Sequence, residues 1–297
     1  MPRATAGCRG VPDFLVIGAM KSGTTTLYFD LASQPSIGMT TVREPSVLVR
    51  AEPDEAADYY RRMFAAGPEA RRLGEVSSLY SKLPQHAGIP ERARRVLGAD
   101  LRLIYLVRNP VERAISHHHH AFAAGVCGPD VNAAVRSDDS LVDFGRYAMQ
   151  LGAWLRVFPP ESALVMRFED YVADRASGLQ RVGEFLSVSV DAKRIRADQA
   201  FNRSEGKEVP GRLLRLLSGN LDLVLVRRAI PERLRQRLRR PFFRPATARP
   251  RPPRADTIDL LVDRLAPDAE RLASLIGWKA PIWDFEATRL KYAEVQP

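Results

Sequence analysis

The sequence predicts a three-layer α/β/α fold with a mainly parallel central sheet. Short apolar runs alternate with amphipathic stretches along most of the chain, and the clearest runs stop at turn-forming residues just before a helical pattern begins. The length of 297 residues, with 45% hydrophobic and 27% charged side chains, suits one large core and argues against a fibre, a low-complexity tail or a membrane protein. One domain over residues 1–297 is expected, with a flexible arm over about 1–11 and an Arg/Pro-rich insertion over about 241–256.

Residues 13–17 (DFLVI) form the first strand and end at Gly18, after which Leu27, Tyr28 and Leu31 in the 24–32 stretch follow helical spacing. The 101–107 run (LRLIYLV) repeats the arrangement. It leads through Arg108 and Asn109 to Pro110, where a missing N–H costs nothing, and then to a helix from Val111 to Ala124. A helix is expected over 141–158, ending before Pro159 and Pro160, then a strand over 163–168 (ALVMRF), then a long amphipathic helix through about Leu186. Residues 211–240 read as helical and arginine-rich, and 247–256 (TARPRPPRAD) as a loop without core residues. The chain has no internal repeat.

The formal charge of +10 is almost all arginine, since lysine stands only at positions 21, 82, 193, 207, 279 and 291. Such an excess favours an anionic partner, either a nucleic acid or a small molecule. Cys8 and Cys127 are far apart and lack a CxxC partner, so neither a disulfide framework nor a zinc site is expected. The polar N-terminus and the short apolar run broken by Gly18 and Lys21 resemble neither a signal peptide nor a membrane span, and a cytoplasmic location is expected.

Chemistry concentrates in residues 14–31. An apolar strand delivers the chain into Gly18-Ala19-Met20-Lys21-Ser22-Gly23-Thr24-Thr25. Glycines permit a compact loop there, backbone N–H groups point into the concavity, and the following helix adds its positive end, so the segment suits a phosphate. A nucleotide triphosphatase would place lysine directly after the last glycine, as GKS or GKT; here Lys21 stands at the front of the loop, where it can meet the group leaving a phosphate. A second anion site is expected where Arg108, at the end of a strand, offers paired donors and Ser116, about two helical turns on, offers a hydroxyl.

These two segments resemble those of the sulfotransferases that use 3′-phosphoadenosine 5′-phosphosulfate (PAPS). The first is similar to their 5′-phosphosulfate loop, and LIYLVRNPVERAISHHHH at 103–120 to their 3′-phosphate segment; the two occur in family order about eighty residues apart. The resemblance is nearest to the bacterial and carbohydrate (heparan-sulfate-like) members. It extends through TVREPSVL (41–48), GEVSSLY (74–80), YAMQLGAWLRVFP (147–159), LVMRFEDY (164–171), FNRSEGKEVP (201–210) and LASLIGWKAPIW (272–283), or about residues 12–285.

The resemblance implies a P-loop nucleoside-triphosphatase-like fold and sulfuryl transfer from PAPS to a hydroxyl of a carbohydrate, glycolipid or secondary metabolite, releasing PAP without a metal. It implies that Lys21, Ser22, Gly23, Thr24, Thr25 and Thr26 hold the 5′-phosphosulfate, that Arg108 and Ser116 hold the 3′-phosphate, and that Arg203 and Lys207 close over it as a lid. Lys21 would stabilise the departing phosphate and Glu44 would act as general base. In this chain Glu44-Pro45 is followed by Ser46 and Val47 where the family pattern has aromatic residues, which alters the acceptor wall. His86 and His117 are the alternative bases, a histidine base being typical of the cytosolic aryl type. Ser78 and Tyr80 are expected to line the donor or acceptor pocket.

Other classes fit less well. A P-loop kinase would need GK[ST] and a magnesium carboxylate after the next strand, and neither stands in this sequence. A nucleic-acid binder would use the arginines of 227–254, but no zinc-finger or RNA-binding pattern accompanies them. His117 and His120 share a helix face without the carboxylate or cysteine partners that a metal site needs.

Overall fold

The computed structural model describes residues 10–64, 67–195, 208–210, 243–245, 250 and 252–293. The expected fold is present: five parallel strands run in the order β2-β3-β1-β4-β5, comprising β1 Phe14–Gly18, β2 Ile37–Met39, β3 Arg72–Val76, β4 Arg102–Val107 and β5 Ala163–Arg167. The continuous apolar runs of β1 and β4 follow from burial on both faces. Phe14, Val16, Ile104 and Leu106 enter one core cluster, whereas Leu15, Ile17, Leu103, Tyr105 and Val107 enter the other.

The first face is covered by α1 (Thr24–Ala32), α9 (Phe168–Ala173) and α10 (Arg175–Leu186), which contribute Leu27, Leu31, Tyr171, Leu179, Val182 and Leu186 to its cluster. The opposite face is covered by α2 (Val47–Arg50), α3 (Pro53–Met63), α4 (Ile89–Leu97) and α8 (Tyr147–Leu155), together with part of α11 (Ala255–Ile276). A third cluster joins α11 to α5 (Pro110–Ala123), α6 (Val131–Ser137) and α7 (Ser140–Asp143), and α12 (Phe285–Ala293) closes the described chain. A separate antiparallel pair consists of β6 (Glu208–Pro210) and β7 (Phe243–Pro245). No helix among the described residues is long and apolar enough to cross a membrane.

Several boundaries differ from expectation. The helix expected over 141–158 is two helices, α7 and α8, because the buried Asp268 carboxylate on α11 receives the first N–H groups of α8, from Ala148 at 2.8 Å and Met149 at 3.2 Å. The long helix ending at Leu186 is likewise divided: Asp174 accepts from Ser177 N at 3.0 Å and starts α10 afresh. Residues 255 and 256, expected at the end of the Arg/Pro-rich loop, instead start α11.

The connection from β1 leaves over one face through α1, and the connection from β4 leaves over the other through α5 to α8. Between β1 and β4 the strand order therefore reverses, and a crevice opens outside their carboxyl ends. Both sequence-predicted anion segments begin there, at Gly18 and at Arg108.

Candidate active site

The loop after β1 is held against β4 by its own backbone: Ala19 N donates to Leu106 O at 2.6 Å, and Ser22 N turns back to Ala19 O at 3.1 Å. Lys21 and Gly23 have φ of 69° and 84°, so the loop winds through left-handed conformations before Thr24 starts α1. The first-turn N–H groups of α1 follow directly on this loop and have no acceptor inside the helix. At residue 23 glycine is required twice over, since a Cβ there would lie 2.7 and 2.8 Å from two ring carbons of Phe168.

The same phenyl ring supports the second segment. Arg108 stacks its guanidinium over Phe168 at 5.0 Å from the ring centroid and donates from Nη1 to Lys21 O at 3.3 Å, so one arginine ties the two loops together. Its backbone is pinned by Tyr147, which donates to Arg108 O at 2.8 Å. Asn109 caps α5 by accepting from Val111 N at 3.1 Å and Glu112 N at 3.3 Å, a contribution of about 1 kcal/mol, and its N–H donates to Glu169 at 2.8 Å. A cleft of about 550 Å³ lies alongside, lined among others by Arg108, Asn109, Glu112, Phe168, Trp283 and Lys291. Ser116 is half-buried two turns into α5.

Glu44 lies on the turn after β2, with φ of 53° at Glu44 and 54° at Ser46 on either side of Pro45. Non-glycine residues rarely adopt these angles, and the residues at the end of β3 hold the turn. Ser78 donates to Glu44 Oε2 at 2.8 Å, Ser46 and Ser77 share a hydrogen bond of 2.7 Å, and Leu48 N donates to the Tyr80 hydroxyl at 3.1 Å. Beneath them the fully buried Glu75 accepts from Tyr60 at 2.5 Å, from Tyr80 at 2.7 Å and from the backbone N–H groups of Val47 and Ser46. Burial pushes the Glu75 carboxyl up to about 7 despite these donors.

Residues 11–209 match the family described as the sulfotransferase domain. The chain belongs to the sulfotransferase family. It is 32% identical over 215 residues to heparan sulfate glucosamine 3-O-sulfotransferase 6 of Mus musculus, covering 69% of this chain and 59% of that protein. Over 204 residues it is 28% identical to bifunctional heparan sulfate N-deacetylase/N-sulfotransferase 3 of Homo sapiens, covering 61% of this chain and 23% of that protein. The chain thus spans about three-fifths of the length of the first of these relatives. Among solved structures, a sulfotransferase from Alicyclobacillus acidocaldarius shares the fold, with a TM-score of 0.62, 20% identity and coverage of 92% of this chain and 98% of that one.

Lys82, which stands in none of the motifs quoted above, couples electrostatically to both Glu44 and His117, and the Lys21 charge also reaches His117. Lys82 is half-buried with Nζ 5.2 Å from the Phe144 ring centroid; burial lowers its pKa while the Glu44 carboxylate acts in the opposite sense. His117 is buried and stacked on Phe144 at 5.6 Å, with Nδ1 facing Arg113 Nη1 at 3.5 Å. Burial, then the Arg113, Lys82, His120 and Lys21 charges, push its pKa down to about 3, so the ring is neutral at ordinary pH. An arginine only donates, so Nδ1 accepts and the ring proton sits on Nε2. His86, half-buried on the loop after Lys82, has its pKa lowered by burial and by that lysine.

Arg203 and Lys207 lie outside the described residues. Among the described residues no group of three or more His, Cys, Asp or Glu could hold a metal ion. Phe168, Glu75 and the wholly buried Arg113 are further site residues absent from the sequence reading. Each lay inside a quoted motif, but part of what defines its role comes from outside that motif: Gly23 and Arg108 for Phe168, Tyr60 for Glu75 and Leu141 O for Arg113.

Proposed function

We propose that the chain transfers a sulfuryl group from PAPS to a hydroxyl, releasing PAP, on a P-loop-like variant of the three-layer fold. The observation that carries this reading is the Arg108 hydrogen bond to Lys21 O, which joins two anion-binding loops at the sheet's switch point as a doubly phosphorylated adenylate requires. In this reading, loop N–H groups from Ser22 to Thr26 and the Lys21 ammonium take the 5′-phosphosulfate. Arg108 and Ser116 take the 3′-phosphate, with Arg203 and Lys207 as its lid. The family match and the packing of α11 against the sheet helices support a single catalytic domain.

Glu44 accepts the acceptor's hydroxyl proton while the hydroxyl oxygen forms a bond to sulfur. The bond from sulfur to the bridging oxygen breaks, its electron pair stays on the 5′-phosphate, and Lys21 neutralises the charge that grows there. Glu44 is preferred because Ser78 orients its carboxylate. His117 already accepts from Arg113 at Nδ1 and has little proton affinity left. His86 is weakened as a base by burial and by Lys82.

The likeness to a heparan sulfate 3-O-sulfotransferase supports a carbohydrate hydroxyl as first choice among acceptors, ahead of a glycolipid or secondary metabolite. A kinase reading has less support, since the loop order Lys21-Ser22-Gly23-Thr24 is not that of a triphosphate cradle. The test is an acceptor screen with sulfur-labelled PAPS: label transferred to a hydroxylated acceptor with equal PAP release supports the proposal, and transfer of phosphate from ATP instead overturns it.

A further inference from the structure

Glu112 and Ser116, four residues apart, share a face of α5, and the ion pair of Arg108 with Glu112 places the arginine at the head of that line. A carboxylate therefore stands between the two side chains proposed to take a phosphate. Unless something else occupies it, this carboxylate repels the ligand and holds the arginine.

The other partner is Lys291. Its Nζ lies 2.6 Å from Glu112 Oε1, whereas Arg108 Nη2 is 3.7 Å from Oε2, so the lysine is the closer cation. Lys291 reaches this position because α12 is anchored on two sides. Thr288 accepts from Asn109 Nδ2 at 2.9 Å at the start of α5, and Arg289 bridges to Asp259 at 2.9 Å and Asp263 at 3.1 Å on α11. Tyr292 adds its hydroxyl to Glu112, and burial and then that carboxylate raise its pKa. Lys291 and Arg108 line the same cleft. The lysine lies outside the stretch that matches the family, 11–209.

We propose that Lys291 is a positioning residue of the donor site: by pairing with Glu112 it leaves the Arg108 guanidinium to the 3′-phosphate. The inference rests on the reading of Arg108 given above and deepens it. Removing the lysine turns Glu112 onto Arg108 as its remaining strong cation, and the carboxylate then competes with the phosphate for the same donors. A 5′-adenylate without a 3′-phosphate makes no demand on Arg108 and does not feel the change. The Lys291 side chain is 62% exposed, so its replacement opens no core cavity.

The test measures PAP and 5′-AMP affinities of the full-length protein by calorimetry at one ionic strength. Lys291→Met should weaken PAP about tenfold and leave AMP within about twofold, and adding Glu112→Gln should bring PAP back to within about threefold of the starting protein. Unchanged PAP affinity in Lys291→Met overturns the inference, as does an equal loss for PAP and AMP. So does a loss that Glu112→Gln fails to repair, which would make the lysine a direct phosphate ligand. If instead the unmodified protein binds PAP no better than AMP, or Arg108→Met leaves PAP affinity unaltered, the reading of Arg108 falls and takes the inference with it.

Discussion

The Ser78 hydroxyl donates to Oε2 of Glu44 at 2.8 Å, across a turn whose backbone is left-handed at both Glu44 and Ser46. One hydrogen bond thus aims the carboxylate, while Glu75 below receives the N–H groups of Ser46 and Val47 and keeps the turn in place. The strain in that turn is maintained by a buried polar cluster rather than by glycine.

Glu44→Gln should lower turnover at least about 100-fold and leave PAP affinity within about twofold, because the proton acceptor is lost and the donor loops are untouched. Ser78→Ala should cost about tenfold in turnover, since it frees the carboxylate without removing it. Steady-state kinetics with PAP titrations check both. A Glu44→Gln enzyme of near-normal turnover would remove Glu44 from the chemistry.

Glu75 predicts a pH dependence of stability. Its folded pKa of about 7 exceeds the ordinary value of 4.5, so the folded state holds the proton more tightly than the unfolded one. The associated stability is fully present below about pH 4.5, declines as pH rises toward 7 and is flat above, amounting to roughly 3 kcal/mol across the interval. Thermal melts should show this decline in the unmodified protein and its absence in Glu75→Gln, whose amide does not titrate. Parallel curves for the two proteins would refute the assignment.

Gly23→Ala should weaken PAP binding more than about tenfold, because the new methyl meets the Phe168 ring and the position needs a positive φ. Phe168→Leu should partly relieve Gly23→Ala, as the leucine side chain lacks the flat ring that lies against residue 23. A Gly23→Ala loss as large in the Phe168→Leu background as in the unmodified one would mean that backbone angle, not the ring, sets the requirement.

With its pKa near 3, His117 does not titrate between pH 5 and 9. His117→Gln should therefore leave the shape of the pH–rate profile unchanged over that range, whatever it does to the maximum. Disappearance of an acidic limb in that variant would restore the histidine as a candidate base.

Strands β1, β4 and β5 were readable in the sequence because apolar residues on both faces make unbroken runs. The start of α5 was readable because Asn109 and Pro110 are local signals. The division of α7 from α8 was not, since it depends on Asp268, which lies 120 residues from Ala148. The site divides in the same way. Lys21, Gly23 and Arg108 announce themselves by loop chemistry, whereas Glu75 acquires its meaning only when Tyr60 of α3 joins the nearby Tyr80 on its carboxylate. Phe168 looks in sequence like the last residue of a strand, and its contact with Gly23 and Arg108 exists only once β5 lies beside β4.

The central claim is most directly tested by single-turnover transfer from sulfur-labelled PAPS, comparing the unmodified protein with Lys21→Ala. The unmodified protein should release one PAP for each sulfated product. Lys21→Ala should melt as a folded protein and lose at least about 100-fold in rate. A near-normal rate in Lys21→Ala, or failure of the unmodified protein to transfer the label to any hydroxylated acceptor, would contradict the account.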